Sequence, residues 1–129
     1  SREEAGLKSL TVSLLLASLA SATAVSAEDI KAGKKVFKKC KACHTLKPGD
    51  SRVGPTLYNV VGAPSGAAEG FRYSSAMTDA GFVWDEATLA AFLAKPKDVV
   101  PGTSMTFAGL KKEDDILNLI AYLKSEAEE

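Results

Sequence analysis

Two cysteines separated by two residues and followed at once by a histidine, Cys40-Lys41-Ala42-Cys43-His44, set the tightest constraint on this chain. The spacing suits covalent haem attachment. Each thiol can add to one haem vinyl group, and the adjacent imidazole then lies against the iron from one side. The chain has no other cysteine and no other histidine, so its whole thiol inventory serves one cofactor. Three plainer readings compete. A redox-active dithiol expects alternating strands and helices around it, and no such alternation is visible. A structural zinc site needs four ligands and a second Cys/His pair, which the chain does not have. A simple disulfide leaves His44 unexplained.

The chain has 129 residues, enough for one domain. Residues 1–27 read as a segment outside it. Leu10 to Ala20 is an apolar run without charge, and the small residues that follow end in Ala24-Val25-Ser26-Ala27, which suits a signal-peptidase site before Glu28. The start is poor for a positively charged leader, with Lys8 the only cation immediately before the run. An uncleaved membrane anchor is the alternative, since 7–27 is long enough, at roughly 20 residues, to span a bilayer. Residues 28–129 then form the folded domain, too small to bury much core unaided. A haem supplies an apolar plate for its helices. Export fits the motif, because haem attachment in bacteria takes place outside the cytoplasm, and a periplasmic location is expected.

Net charge is zero and gives no reason to expect nucleic acid. Its distribution is uneven. Residues 30–47 carry Lys31, Lys34, Lys35, Lys38, Lys39, Lys41 and Lys47 without an acid. Residues 113–129 carry six acids against Lys124. The positive end surrounds the attachment motif.

The domain reads as all-α. A first helix is predicted from Asp29, as N-cap, to about Cys40, with Ile30, Gly33, Val36 and Phe37 on one face. Gly33 is either a close helix crossing or a tolerated glycine. Residues 44–70 are rich in Gly and Pro and read as loop, with one helical turn around Thr56 to Val60. A short helix over 74–80 stops at Gly81. Asp85 caps another, which Pro96 ends. Residues 97–112 are again loop. A last helix from about Lys112 to Glu126 buries Ile116, Leu119, Ile120 and Leu123, with Leu117 and Tyr122 beside them. Loops this long call for a reason, and wrapping a flat cofactor is one.

The iron's second side has three candidates: Met77, Met105 or a lysine. Met105 lies in a turn-rich loop, Pro101-Gly102-Thr103-Ser104-Met105-Thr106-Phe107, able to bring a thioether to the metal. A Met opposite a His raises the potential. Met77 sits in a short amphipathic segment and reads as packing.

With these residues in view, the chain resembles the class I cytochromes c, in the bacterial branch close to the mitochondrial type. The matching stretches run in order through Gly33-Lys34-Lys35-Val36-Phe37, the Cys40–His44 motif, Val53-Gly54-Pro55-Thr56-Leu57-Tyr58, Gly70-Phe71-Arg72-Tyr73 and Trp84. They continue through 89–96, 101–109 and Ile120-Ala121-Tyr122-Leu123. The resemblance implies a fold of three main helices, with short helices and long loops wrapped around one haem bound through Cys40 and Cys43, with His44 and Met105 as iron ligands. It implies that the Pro55 carbonyl accepts a hydrogen bond from the His44 ring, that Tyr73 and Trp84 hydrogen-bond a haem propionate, that Phe107 shields the haem beside Met105, and that Gly33, Phe37 and Tyr122 form the crossing of first and last helices. The chain departs from the mitochondrial pattern in four places. Phe92 stands for a Tyr near the Met ligand, and Ala63 for an Arg near a propionate, which Arg72 is expected to replace in part. Met77 stands where Asn is frequent, and Ser104 for the lysine before the Met ligand.

The resemblance implies a one-electron carrier, not an enzyme: a monomer that meets acidic surfaces on redox partners through the lysines around Cys40. Its donor is expected to resemble a cytochrome bc-type complex or a periplasmic dehydrogenase. Its acceptor is expected to be a terminal oxidase, a reductase or a photosynthetic reaction centre. The rivals are a membrane-tethered carrier of the same chemistry and a haem peroxidase or gas-binding protein, for which no distal His and Arg pair is evident.

Overall fold

Five helices account for the regular structure of the computed structural model, which describes residues 27–127. They are α1 (Ala27–Phe37), α2 (Ser75–Ala80), α3 (Glu86–Ala94), α4 (Pro96–Val99) and α5 (Glu113–Ser125). The leader-or-anchor reading of 1–27 falls, except for Ala27, outside the described residues. No helix among those described is long and apolar enough to cross a membrane.

α1 and α5 cross at Gly33. A β-carbon there would meet the backbone carbonyl of Asn118 and stand 2.8 Å from Tyr122 Cβ. The glycine is therefore a matter of space, and of the two readings open in the sequence the crossing is the one realised. Phe37 then reaches Tyr122, ring centroids 5.6 Å apart. On α5 the predicted stripe is buried, Leu119 at 1 % exposure, and Tyr122 joins it. Leu117 does not: it is 53 % exposed. α5 has no side-chain N-cap, but Glu113, Asp114 and Asp115 complement the positive end of its dipole.

The caps of the inner helices follow from short polar side chains. Ser74 accepts from the Met77 N–H, Gly81 closes α2 in the left-handed conformation, and Asp85 accepts from the Thr88 N–H at 2.7 Å. Four expectations are corrected. Asp29 lies inside the first turn of α1 rather than capping it. α1 proper ends at Phe37 and continues as hydrogen-bonded turns through Cys43. In place of a helical turn over 56–60 the chain makes a single turn over 57–60, Val60 N–H donating to Leu57 O at 3.2 Å, with Asn59 at φ 55°. Pro96 both ends α3 and opens α4, since a proline at the first helical position gives up no hydrogen bond. Among the described residues there is no strand, only an isolated antiparallel bridge between Pro64 and Val83.

Candidate functional site

Residues of α2, α3 and α5, the 44–70 loop and the 103–107 segment line a cavity of about 680 Å³, within the range of cofactor sites. Cys40, Cys43, His44, Pro55, Tyr73, Trp84, Met105 and Phe107 all line it, so the fold brings every sequence-selected residue to one space.

The attachment motif sits where α1 unwinds. The Cys43 and His44 N–H groups both donate to the Cys40 carbonyl, at 3.1 and 2.9 Å, so the chain turns tightly and both thiols face the same cavity. Both are half-buried and free. Burial pushes the Cys40 thiol above its usual pKa, with Cys43 adding to the rise and Lys39 opposing it. The loop beyond folds back on the motif. Gly54 N–H donates to Cys43 O (2.8 Å), Leu57 N–H to Thr45 O (2.9 Å), and the Thr56 hydroxyl to Lys47 O (2.6 Å).

That return places Pro55 O 2.7 Å from His44 Nδ1. With the proton on Nδ1, the ring donates to this carbonyl and Nε2 keeps its lone pair for a metal. Burial lowers the ring's pKa below its usual value, and the hydrogen bond to Pro55 partly offsets that shift. A β-carbon on Gly54 would stand 2.7 Å from Nδ1. Gly54 was legible only as part of a matching stretch. Its φ is unremarkable, so nothing in the sequence marks it as the floor of the ring.

On the far side in sequence, residues 100–110 carry Met105. The loop is anchored by buried Val100 (2 % exposed) and Leu110 (5 %), the latter's N–H bound to Leu93 O at 2.8 Å. Met105 is half-buried, its N–H donating to the Thr103 hydroxyl at 3.3 Å. Met77, half-buried on α2, lines the cavity as well, and the two thioethers differ in setting: one helical, one on a loop.

Trp84 is held by antiparallel pairing with Ala63 and Gly62. Its N–H donates to Ala63 O and its carbonyl accepts from Gly62 N–H, each at 2.8 Å. Its indole is wedged between Phe82 and Phe92, with centroids 4.7 and 4.8 Å away. The Tyr73 hydroxyl accepts from the Ala68 N–H at 2.9 Å. The remaining wall is apolar and includes Leu89, Phe92 and Leu93 of α3 with Leu119 and Leu123 of α5. Sequence reading assigned these to helix packing, and the structure gives them a second surface on the cavity.

The fit to a haem is good on chemical grounds. Two thiols on one turn, an oriented imidazole, a thioether and an apolar enclosure meet in one cavity. Among the described residues no group of three or more His, Cys, Asp and Glu side chains could hold a metal ion by itself.

A sequence model of the family described as cytochrome c matches residues 30–127. The chain is 46 % identical over 125 residues to a protein named cytochrome c2 from Rhodomicrobium vannielii, across 93 % of this chain and 98 % of that one. It is 50 % identical over 98 residues to the cytochrome c2 of Rhodoblastus acidophilus, across 75 % and 92 %. Among solved structures it resembles cytochrome cH from Methylobacterium extorquens, with a TM-score of 0.72 and 46 % identity over 75 % of this chain and 98 % of that chain.

Proposed function

We propose, from the premise that this chain belongs to the cytochrome c family, that it is a one-electron carrier whose iron is held by His44 and Met105. It carries one haem c, bound covalently through Cys40 and Cys43. When bound, the haem supplies a one-electron couple with iron alternating between ferric and ferrous.

The chain's own residues make that couple useful. His44, oriented by Pro55, presents one nitrogen in a fixed direction. Met105 supplies a soft sulfur that favours the ferrous state. Held by both His44 and Met105, the iron would offer no open site to substrate or oxygen. The apolar wall from α3 and α5 keeps water away and lowers the local dielectric, which further favours the less charged state. Phe107 shields the Met105 side. Tyr73 and Trp84 donate hydrogen bonds to a propionate: the tyrosine's oxygen already accepts from Ala68, which leaves its hydrogen to give, and a buried indole N–H needs a partner.

The exchange is with redox partner proteins. Acidic faces on them meet the lysines around Cys40, all seven of which between 31 and 47 are exposed. A cytochrome bc-type complex or periplasmic dehydrogenase as donor, and a terminal oxidase, reductase or reaction centre as acceptor, suit this face. Residues 1–27 act as a cleaved leader that delivers the chain to the periplasm.

The convergence of all eight sequence-selected residues on one cavity carries this reading. The test is a visible spectrum and potentiometric titration of protein matured in a host competent for haem attachment. The expected result is covalently held haem, a one-electron Nernst curve and a weak far-red ferric band that Met105→Ala abolishes. Persistence of the band in that variant overturns the Met105 assignment. A colourless mature protein overturns the whole reading. N-terminal sequencing of native protein settles the leader: Glu28 as first residue means release, an intact segment means a tether.

A further inference from the structure

Residues 62–65 and 82–84 pair as a short antiparallel neck. Gly62 N–H donates to Trp84 O, Trp84 N–H to Ala63 O and Ser65 N–H to Phe82 O, each at 2.8 Å, and the Ser65 hydroxyl accepts from Phe82 N–H at 3.3 Å. Residues 66–81 bulge from this neck, a span within the roughly 6–16 residues of an Ω-loop. Gly66 and Gly81 stand at its two ends, both left-handed, at φ 68° and 65°. The loop is tied down lightly. It carries α2, the one helix of the five described that has no buried residue and that packs on none of the other four. The hydrogen bonds that shape its interior are local. The Tyr73 hydroxyl accepts from the Ala68 N–H, and Ser74 accepts from the Met77 N–H through its hydroxyl and from the Thr78 N–H through its carbonyl.

A short helix that buries nothing against protein needs another surface to hold it. Met77 is the one large apolar side chain of α2, it is half-buried, and it lines the cavity. Its neighbour Ala76 adjoins the loop that carries Met105: a β-carbon on Gly102 would stand 3.3 Å from Ala76 Cβ. We propose that residues 66–81 are a lid hinged on the 62–65 and 82–84 neck, and that Met77 is the positioning residue that holds this lid against the haem and keeps water from the Met105 side. This rests on the reading that the chain carries a c-type haem. An unbranched thioether suits the task, because it adapts to an irregular apolar surface. A segment with few buried contacts opens locally while the rest of the fold stays closed. Opening wets the cavity, and a wetter cavity favours the more highly charged ferric state. The lid is thus coupled to the potential.

The experiment is hydrogen exchange read by NMR on the matured, haem-loaded ferrous protein, with reduction potentials measured on the same samples. In the parent, the Ala68, Met77 and Thr78 amides are expected to exchange at least about tenfold faster than the Ser65 and Trp84 amides of the neck and than those of α5. Met77→Ala speeds the lid amides by a further factor of about ten, the effect of truncating a half-buried side chain, and leaves those of α5 in place. It also lowers the ferrous-to-ferric ratio at a fixed applied potential about threefold, a drop of about 30 mV at 59 mV per tenfold. Met77→Leu, close in volume and polarity, recovers both. Leu117→Ala, at an exposed site outside the cavity, changes neither. Lid amides in the parent that exchange as slowly as those of α5 overturn the lid, a result that needs no variant to fold. A Met77→Ala protein whose lid exchange or potential matches the parent's, or whose amides all quicken equally, overturns the role of Met77. Haem content, recorded on every sample, separates the two levels of failure. A parent without covalent haem overturns the carrier reading and this inference together. Full haem loading with a rigid lid overturns the inference alone.

Discussion

The backbone of Gly54 lies so close beneath the His44 ring that a β-carbon would come within 2.7 Å of Nδ1 and 2.8 Å of Nε2. The ring cannot yield easily, because Nδ1 is tied to Pro55 O at 2.7 Å. Gly54→Ala is therefore expected to cost the haem-loaded protein about 1–3 kcal/mol, as overpacking in a filled site does, read from the denaturant midpoint. An unchanged midpoint would count against the contact.

Gly33→Ala sets helix propensity against packing. Inside a helix, alanine is favoured over glycine by roughly 1 kcal/mol. At this crossing its β-carbon meets the Asn118 carbonyl, backbone that cannot swing aside. Packing wins: the substitution should destabilise by about 2 kcal/mol net, measured by chemical denaturation. A more stable variant would show that α1 and α5 separate more freely than their contact suggests.

Asp85 gives a pH signature. Its carboxylate accepts from the Thr88 backbone and side chain, which hold its pKa below the ordinary carboxylate range. The depressed value means that the cap's stabilisation is complete above that range and lost as pH falls through the lowered value. Asp85→Asn caps comparably without titrating. The difference in melting temperature between the two proteins should be flat above about pH 5 and change only below about pH 4. Asp85→Ala should melt lower than both at neutral pH. A parent–Asn difference that varies between pH 6 and 8 contradicts this.

Lys39 is the lysine that touches both cavity and solvent. Lys39→Glu should slow reduction by an anionic inorganic reagent roughly three- to tenfold at low ionic strength and quicken it with a cationic one. Both effects should fade at 0.5 M salt, where the screening length is a few ångströms. Stopped-flow rates with paired reagents of opposite charge decide it. Equal changes with both would point to altered haem access instead of steering.

Much of this is legible in the sequence, for identifiable reasons. Ser74, Gly81 and Asp85 marked helix ends because caps are local chemistry, written within three residues of where they act. The α5 stripe was legible because a helical period selects one face, although it placed Leu117 too close to that face. Pro96 reads in the sequence only as a stop, since the sequence alone does not say whether the chain after a proline starts a new turn. The sequence starts α1 at Asp29 and not at Ala27 because Ala27 and Glu28 carry no cap signal of their own. Gly54 needs three dimensions, because it matters for a ring ten residues away.

Six of the buried side chains, Trp84, Leu89, Phe92, Leu93, Leu119 and Leu123, face the other helices on one side and the cavity on the other. Melting point and voltage are thus written in the same letters. A lineage adjusting this carrier to a new thermal habitat shifts its electrochemistry unless a second change restores it, and one adjusting its electrochemistry risks its durability.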